Sequence, residues 1–145
     1  MGADPWAAQV ALARTTTVWG VASITAGLGL AAARRGPWAT AFGLQNAGWG
    51  AVDVAIAVVA ERLERRRMAR FPDPYAPGAL AVEARKLRRV LLINVALDAG
   101  YVVGGAALWR WRRGSPGPAG ASAGIVLQGA FLLLHDAHYA ARVRP

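Results

Sequence analysis

The chain has 145 residues, no cysteine and only two histidines, so it holds no disulfide framework, no thiolate chemistry and no His-rich metal centre. Hydrophobic residues make up 55% of it, and 17 basic against 8 acidic residues leave a net charge of +9. The bases cluster at the ends of apolar runs rather than over one face, which is a membrane pattern and not that of a nucleic-acid binder.

The chain opens with a lead-in over residues 5–14, where Asp4 suits an N-cap and Pro5 the first helical position. It lacks a basic start, so no cleavable signal peptide is expected. Residues 15–33 then run without a charge. Residues 36–60 carry one charge, Asp53. Residues 61–70, E-R-L-E-R-R-R-M-A-R, continue that helix into water. Residues 71–78 break it, because Pro72, Pro74 and Pro77 remove donors and fix φ. A helix restarts over 79–89 and runs into 90–109, whose one charge is Asp98. The last apolar run, 119–141, contains Asp136 alone.

A membrane-spanning helix needs about 20 mostly apolar residues. Each run meets that length. The exposed faces of a soluble helical bundle would carry charges every turn or so, and these runs do not. The predicted fold is therefore all-α: a bundle of four transmembrane helices built from two tandem helical hairpins. A single integral-membrane domain spans 1–145. The first hairpin covers about 5–70, the linker about 61–89 and the second hairpin about 79–145.

Five bases (Arg34, Arg35, Arg110, Arg112 and Arg113) fall in the two short turns, and the other twelve lie on the opposite side. The positive-inside rule puts both termini and the linker in the cytoplasm, with a bacterial inner membrane as the setting. The basic linker could bind anionic lipid. The plainer reading is a topology signal on solvated helix ends.

The two hairpins look alike. L-Q-N-A-G-W-G-A-V-D (44–53) and L-Q-G-A-F-L-L-L-H-D (127–136) both place Gln eight residues before Asp, 83 residues apart. The first and third helices both close on small residues, then Arg-Arg-Gly, then Pro (27–38 and 104–116). Such a parallel repeat would have its pseudo-axis along the membrane normal.

Helical spacing gathers the polar residues. The second helix places Gln45, Trp49 and Asp53 at i, i+4, i+8. The third places Asn94, Asp98 and Tyr101 at i, i+4, i+7. The fourth places Gln128, Asp136 and Tyr139 on one face, with His135 beside Asp136. Thr16, Gly20, Ser23 and Gly27 make a small stripe on the first helix. Positions three and four apart share a helix face. Polar groups in lipid turn inward to find partners. The interior should be polar, not a leucine core, with Asp98 deepest.

The expected ligand-binding set is Asp53, Asp98, Asp136, Asn94, Gln45, Gln128, Trp49, Tyr101 and His135. His135 and Asp136 are neighbours in sequence and point about 100° apart on a helix, so their pairing is not built in. Gly100-x-x-x-Gly104 and Ser23-x-x-x-Gly27 allow close helix approach, and a homodimer face is one use of them. Trp38, Trp109 and Trp111 read as anchors at one membrane boundary and Trp6 at the other. No catalytic group, metal site or cofactor is assigned. His135-x-x-His138 lies on one helix only, and no P-loop, dinucleotide motif or Ser-His-Asp spacing occurs.

The segments 44–53, 94–105 (N-V-A-L-D-A-G-Y-V-V-G-G) and 126–136 together resemble an uncharacterised bacterial family of small four-span membrane proteins, a domain of unknown function. The resemblance covers helices two to four and brings no activity with it. It implies that the Asn-Asp-Tyr and Gln-Asp positions form one shared site.

Three functions fit these features. The first is binding or transport of a cation, a proton or a small polar ligand by the buried aspartates, with the lipid bilayer as surroundings and no nucleic acid. The second is a structural or partner subunit of a membrane complex. The third is an intramembrane enzyme acting on a lipid-like substrate, with two carboxyls in acid and base roles.

Overall fold

The computed structural model describes residues 4–144, and these form four helices with no strand among them. They are α1 (Pro5–Ala32), α2 (Pro37–Met68), α3 (Pro77–Arg112) and α4 (Pro116–Arg142). Every helix starts on a proline, whose fixed φ suits the first turn and whose missing N–H is not needed there. The Asp4 side chain caps α1 by accepting from the Trp6 backbone N–H at 2.9 Å. Between α1 and α2 the chain reverses through Arg34 and Gly36, both at positive φ (48° and 109°). Gly36 takes that conformation without steric cost.

The 18-residue windows of the four helices reach mean hydropathies between 1.2 and 1.7, so all four are long and apolar enough to cross a membrane. At about 1.5 Å per residue, the 36 residues of α3 exceed a hydrocarbon core of about 30 Å. The surplus turns of α2 and α3 project at the linker end. There Pro72 and Pro74 interrupt the helix, and Asp73 accepts from the Tyr75 backbone N–H at 2.9 Å.

Helices pair as the repeat predicts: α1 packs closely on α2, and α3 on α4. Glycines permit this. Gly20 lies against Gly50, and Gly27 against Gly43, so that a Cβ on Gly27 would run into the Gly43 carbonyl. In the second hairpin Gly105 sits on Val126, and Gly129 on Tyr101 and Val102. The hairpins join through α2 and α4, where Gly120 meets the Trp38 backbone and Gly124 meets Gln45 and Asn46. A small apolar cluster ties α1, α3 and α4 together at the linker end, built from Ala8, Ala84, Leu87, Leu91, Ala140 and Val143. By contrast, α2 and α3 do not pack closely on each other.

The bundle interior is small and polar, as expected. Gly20, Ser23, Asn46, Asp53, Asp98, Gln128 and Asp136 are buried, while Val18, Ile56, Ile93, Val103 and Leu134 face outward. Trp38, Trp109 and Trp111 are exposed near the turns. Trp6 is not a boundary anchor. It is buried against Phe71, and its indole N–H donates to the Pro74 carbonyl at 2.9 Å, which fastens the linker to the start of α1. A buried indole takes such an acceptor whenever one is near. The two small-residue motifs also differ. Ser23 and Gly27 are spent on the α1–α2 contact, whereas nothing lies within 4 Å of a Cβ built on Gly100 or Gly104.

Candidate functional site

The inward polar groups divide into two layers. Nearer the turns, Gln128 forms the centre of a knot. It is 1% exposed and bonded at both ends of its amide. Its Nε2 donates to Asn46 Oδ1 at 2.8 Å and to Ser23 Oγ at 3.1 Å, and its Oε1 accepts from Trp19 Nε1 at 2.6 Å. Asn46 in turn donates to the Phe42 carbonyl at 2.8 Å. Trp19 stacks on Phe131 with centroids 4.0 Å apart. One side chain of α4 thus holds α1 and α2 through satisfied hydrogen bonds.

Toward the linker lies a cavity of about 430 Å³, lined from all four helices. Asp53 from α2, Asp98 from α3 and Asp136 from α4 all line it, with Asn94, Trp49 and Tyr101. Trp49 and Tyr101 meet edge to face, centroids 5.3 Å apart. Asp53 and Asp98 are 2% and 5% exposed, and each has a buried Oδ2 without a hydrogen-bond partner. A buried polar atom left unpaired costs about 1–3 kcal/mol, more when charged. Two such atoms come from different helices of one cavity. They are suited to a proton, a cation or a hydrogen-bond donor.

Six of the nine predicted site residues meet in this cavity: Asp53, Asp98, Asp136, Asn94, Trp49 and Tyr101. The other three do not line it. Gln128 belongs to the knot, and Gln45 lies along Gly124. His135 is buried behind Asp136, stacked on Phe131 and edge-on to Tyr139. Its Nδ1 lies 3.2 Å from Asp136 Oδ1. The pair meets despite the helical angle between the two residues, because both side chains are confined in the bundle. His138 is exposed. Among the described residues no three His, Asp or Glu side chains are placed to hold one metal ion.

At the linker end the cavity reaches a cluster that sequence reasoning treated as solvated helix. Glu64 and Glu83 are buried there. Arg67 lines the cavity there and reaches from α2 to α1 and α3, its Nη2 2.5 Å from Gln9 Oε1 and its Nε 3.5 Å from Glu83 Oε1. The signal was present in the stripe itself. Continued backward from Asp98, the face Asn94, Leu91, Leu87 arrives at Glu83 in steps of three and four. Continued forward from Asp53, it passes Ala57 and reaches Glu64.

Residues 15–137 match the model of a family of unknown function, DUF6992, and the chain belongs to that family. No curated protein and no solved structure matches it.

Proposed function

We propose that this member of DUF6992 is a small membrane protein that binds, and in a transport cycle passes on, a positively charged or proton-donating ligand at Asp53, Asp98 and Asp136. One observation carries the reading: two carboxylates from different helices, both buried, both with an unpartnered oxygen, line the same cavity. Carboxylates inside membrane bundles are rare, and those that occur mark ion and substrate pathways. The lining adds Asp136, Glu64 and Glu83 against Arg67 and Lys86, an excess of negative charge that favours a cation.

The positive-inside distribution assigns the linker end of the cavity, with Arg67, to the cytoplasm. The Gln128 knot stands between the cavity and the turns. Binding needs only the open cavity. Passage to the far side requires the knot to break, because it closes the α1–α2–α4 interface on that side.

Reconstitution tests this. Purified protein in liposomes should show cation or proton uptake, or saturable cation binding, that Asp98→Asn abolishes. Uptake and binding unchanged in Asp53→Asn, Asp98→Asn and Asp136→Asn alike would refute it.

A further inference from the structure

The cavity is not closed on all sides. Five of its large apolar lining residues are also exposed, Ile56 and Leu63 of α2 and Val90, Leu97 and Tyr101 of α3, with Ala60 and Lys86 exposed beside them. Of the five, Ile56 and Leu97 are the most open, at 59% and 58%. These residues flank the seam between α2 and α3, which do not pack closely on each other, as α1 and α4 do not. Val90 to Tyr101 spans about 16 Å along α3 at the helical rise, roughly half the thickness of a hydrocarbon core. In a bilayer the seam would face acyl chains, and an apolar molecule could pass through it without meeting water.

We infer that the cavity opens sideways between α2 and α3 and takes up an apolar organic cation, an amine or quaternary ammonium with a hydrocarbon body, directly from the bilayer. This rests on the proposed cation-binding role and narrows it. Three features select the class. Apart from Tyr101 and, at the linker end, Lys86, the walls of the seam are aliphatic, so they favour a hydrocarbon body over a hydrated ion. Asp53, Asp98 and Asp136 come from three different helices around one cavity, a spread of charge that suits a large, diffuse cation. Trp49 and Tyr101 stand in edge-to-face contact beside Asp98, and aromatic faces attract quaternary ammonium ions. Asp53 and Asp98, which line the cavity from α2 and α3, then supply the counter-charge. A phospholipid fits less well. Its headgroup stays at the interface, whereas Asp98 lies 14 residues from the turn end of α3 and 21 from its start, deep in the span.

The test uses the full chain in phosphatidylcholine nanodiscs, with empty discs as the blank and radiolabelled tetraphenylphosphonium as the probe. Saturable binding is expected. Hexadecyltrimethylammonium should compete at concentrations about tenfold or more below tetramethylammonium, a comparison that needs no variant. Asp53→Asn and Asp98→Asn should each weaken binding about tenfold or more, as loss of a buried charge partner does. Ile56→Trp with Leu97→Trp, at exposed positions that leave the packing alone, should slow association several-fold by filling the seam.

The failures separate. If no cation binds in a carboxylate-dependent way, the cavity role falls and this inference with it. If rubidium or tetramethylammonium binds through Asp53 and Asp98 as tightly as tetraphenylphosphonium does, the cavity role stands and the organic-cation class is overturned. If association is unchanged in the double Trp variant, the sideways route is overturned.

Discussion

Gln128 and Asp98 are both buried polar residues on inward faces, and the structure predicts opposite responses to neutral substitution. Gln128→Leu keeps similar bulk and removes three hydrogen bonds, to Trp19, Ser23 and Asn46. Interhelical bonds in membrane bundles contribute about 0.6 kcal/mol each on average, so the three come to about 2 kcal/mol. The indole N–H of Trp19 and the amide oxygen of Asn46 are also left unpaired, which brings the expected loss to about 2–5 kcal/mol. Gln128→Glu, which keeps the acceptor for Trp19, should fall between. Asp98→Asn breaks no hydrogen bond made by its buried Oδ2. It replaces a carboxyl by an amide in apolar surroundings, and stability should hold or rise by up to about 1 kcal/mol. Reversible unfolding in mixed micelles, followed by circular dichroism while the denaturing detergent fraction rises, measures both. A Gln128→Leu protein within about 0.5 kcal/mol of the parent would show that the knot does not hold the hairpins together. A loss at Asp98 as large as that at Gln128 would make Asp98 a packing residue and remove the main support for a ligand cavity.

Three further outcomes follow from the packing. Gly27→Ala drives a Cβ into the Gly43 carbonyl and should cost about 1–3 kcal/mol, whereas Gly104→Ala, with open space around it, should stay within about 0.5 kcal/mol in the same unfolding assay. Arg67→Ala leaves Glu83, 3% exposed, without its cation. Breaking a fully buried pair costs about 3–5 kcal/mol, and the partial exposure of Arg67 lowers this to about 1–3 kcal/mol; adding Glu83→Gln should recover part of it, and an additive double variant would show the two do not interact. Trp6→Phe loses the bond to the Pro74 carbonyl and should speed trypsin cleavage at Arg70 in limited proteolysis, while an unchanged rate would mean that other contacts hold the linker.

The helices and their inner faces were legible because two strong signals coincide. Four apolar runs with at most one charge each fix the spans, and a proline opens each helix. Asp53, Asp98 and Asp136 stand out because nothing else in those runs is charged. The knot was less legible for a geometric reason. The eight-residue spacing of Gln45 and Asp53 rotates about 80° away from two full turns, while seven residues return to within about 20°. Asn46, seven before Asp53, therefore faces inward beside Gln128, and Gln45 turns to lie along Gly124. In α2 the Gln-to-Asp spacing is thus one residue out of phase with the buried face, whereas in α4 Gln128 and Asp136 are both buried. Trp19 was hidden differently. It sits beside the Gly20 stripe, and only the tertiary approach of α4 supplies its acceptor. The linker-end cluster escaped because its charges read as solvated, although Glu64 and Glu83 lie on the same faces as the aspartates.

Sequence offsets between the two hairpins bear on the cavity. Arg34 and Arg112 are 78 residues apart, and so are Gly27 and Gly105. Gly43 and Val126 are 83 apart, the same offset as Asp53 and Asp136. Gly27 packs on Gly43, and Gly105 packs on Val126, so the crossing contact of each hairpin falls at equivalent positions. The offset of 78 carries Gly20 onto Asp98. In the first hairpin Gly20 lets α1 close onto Gly50, with its hydrogen side against Val54 and Asp53. In the second, that level holds a carboxylate, and α3 cannot close in the same way. The two hairpins share the crossing contact and differ at the level of Gly20 and Asp98, and Asp98 lines the cavity. Asp98→Gly should therefore restore the missing approach: the cavity shrinks, cation binding is lost, and stability rises rather than falls, because a buried carboxylate gives way to a glycine contact of the kind α1 already makes. Loss of stability with the cavity intact would show that the divergence at Asp98 did not create it.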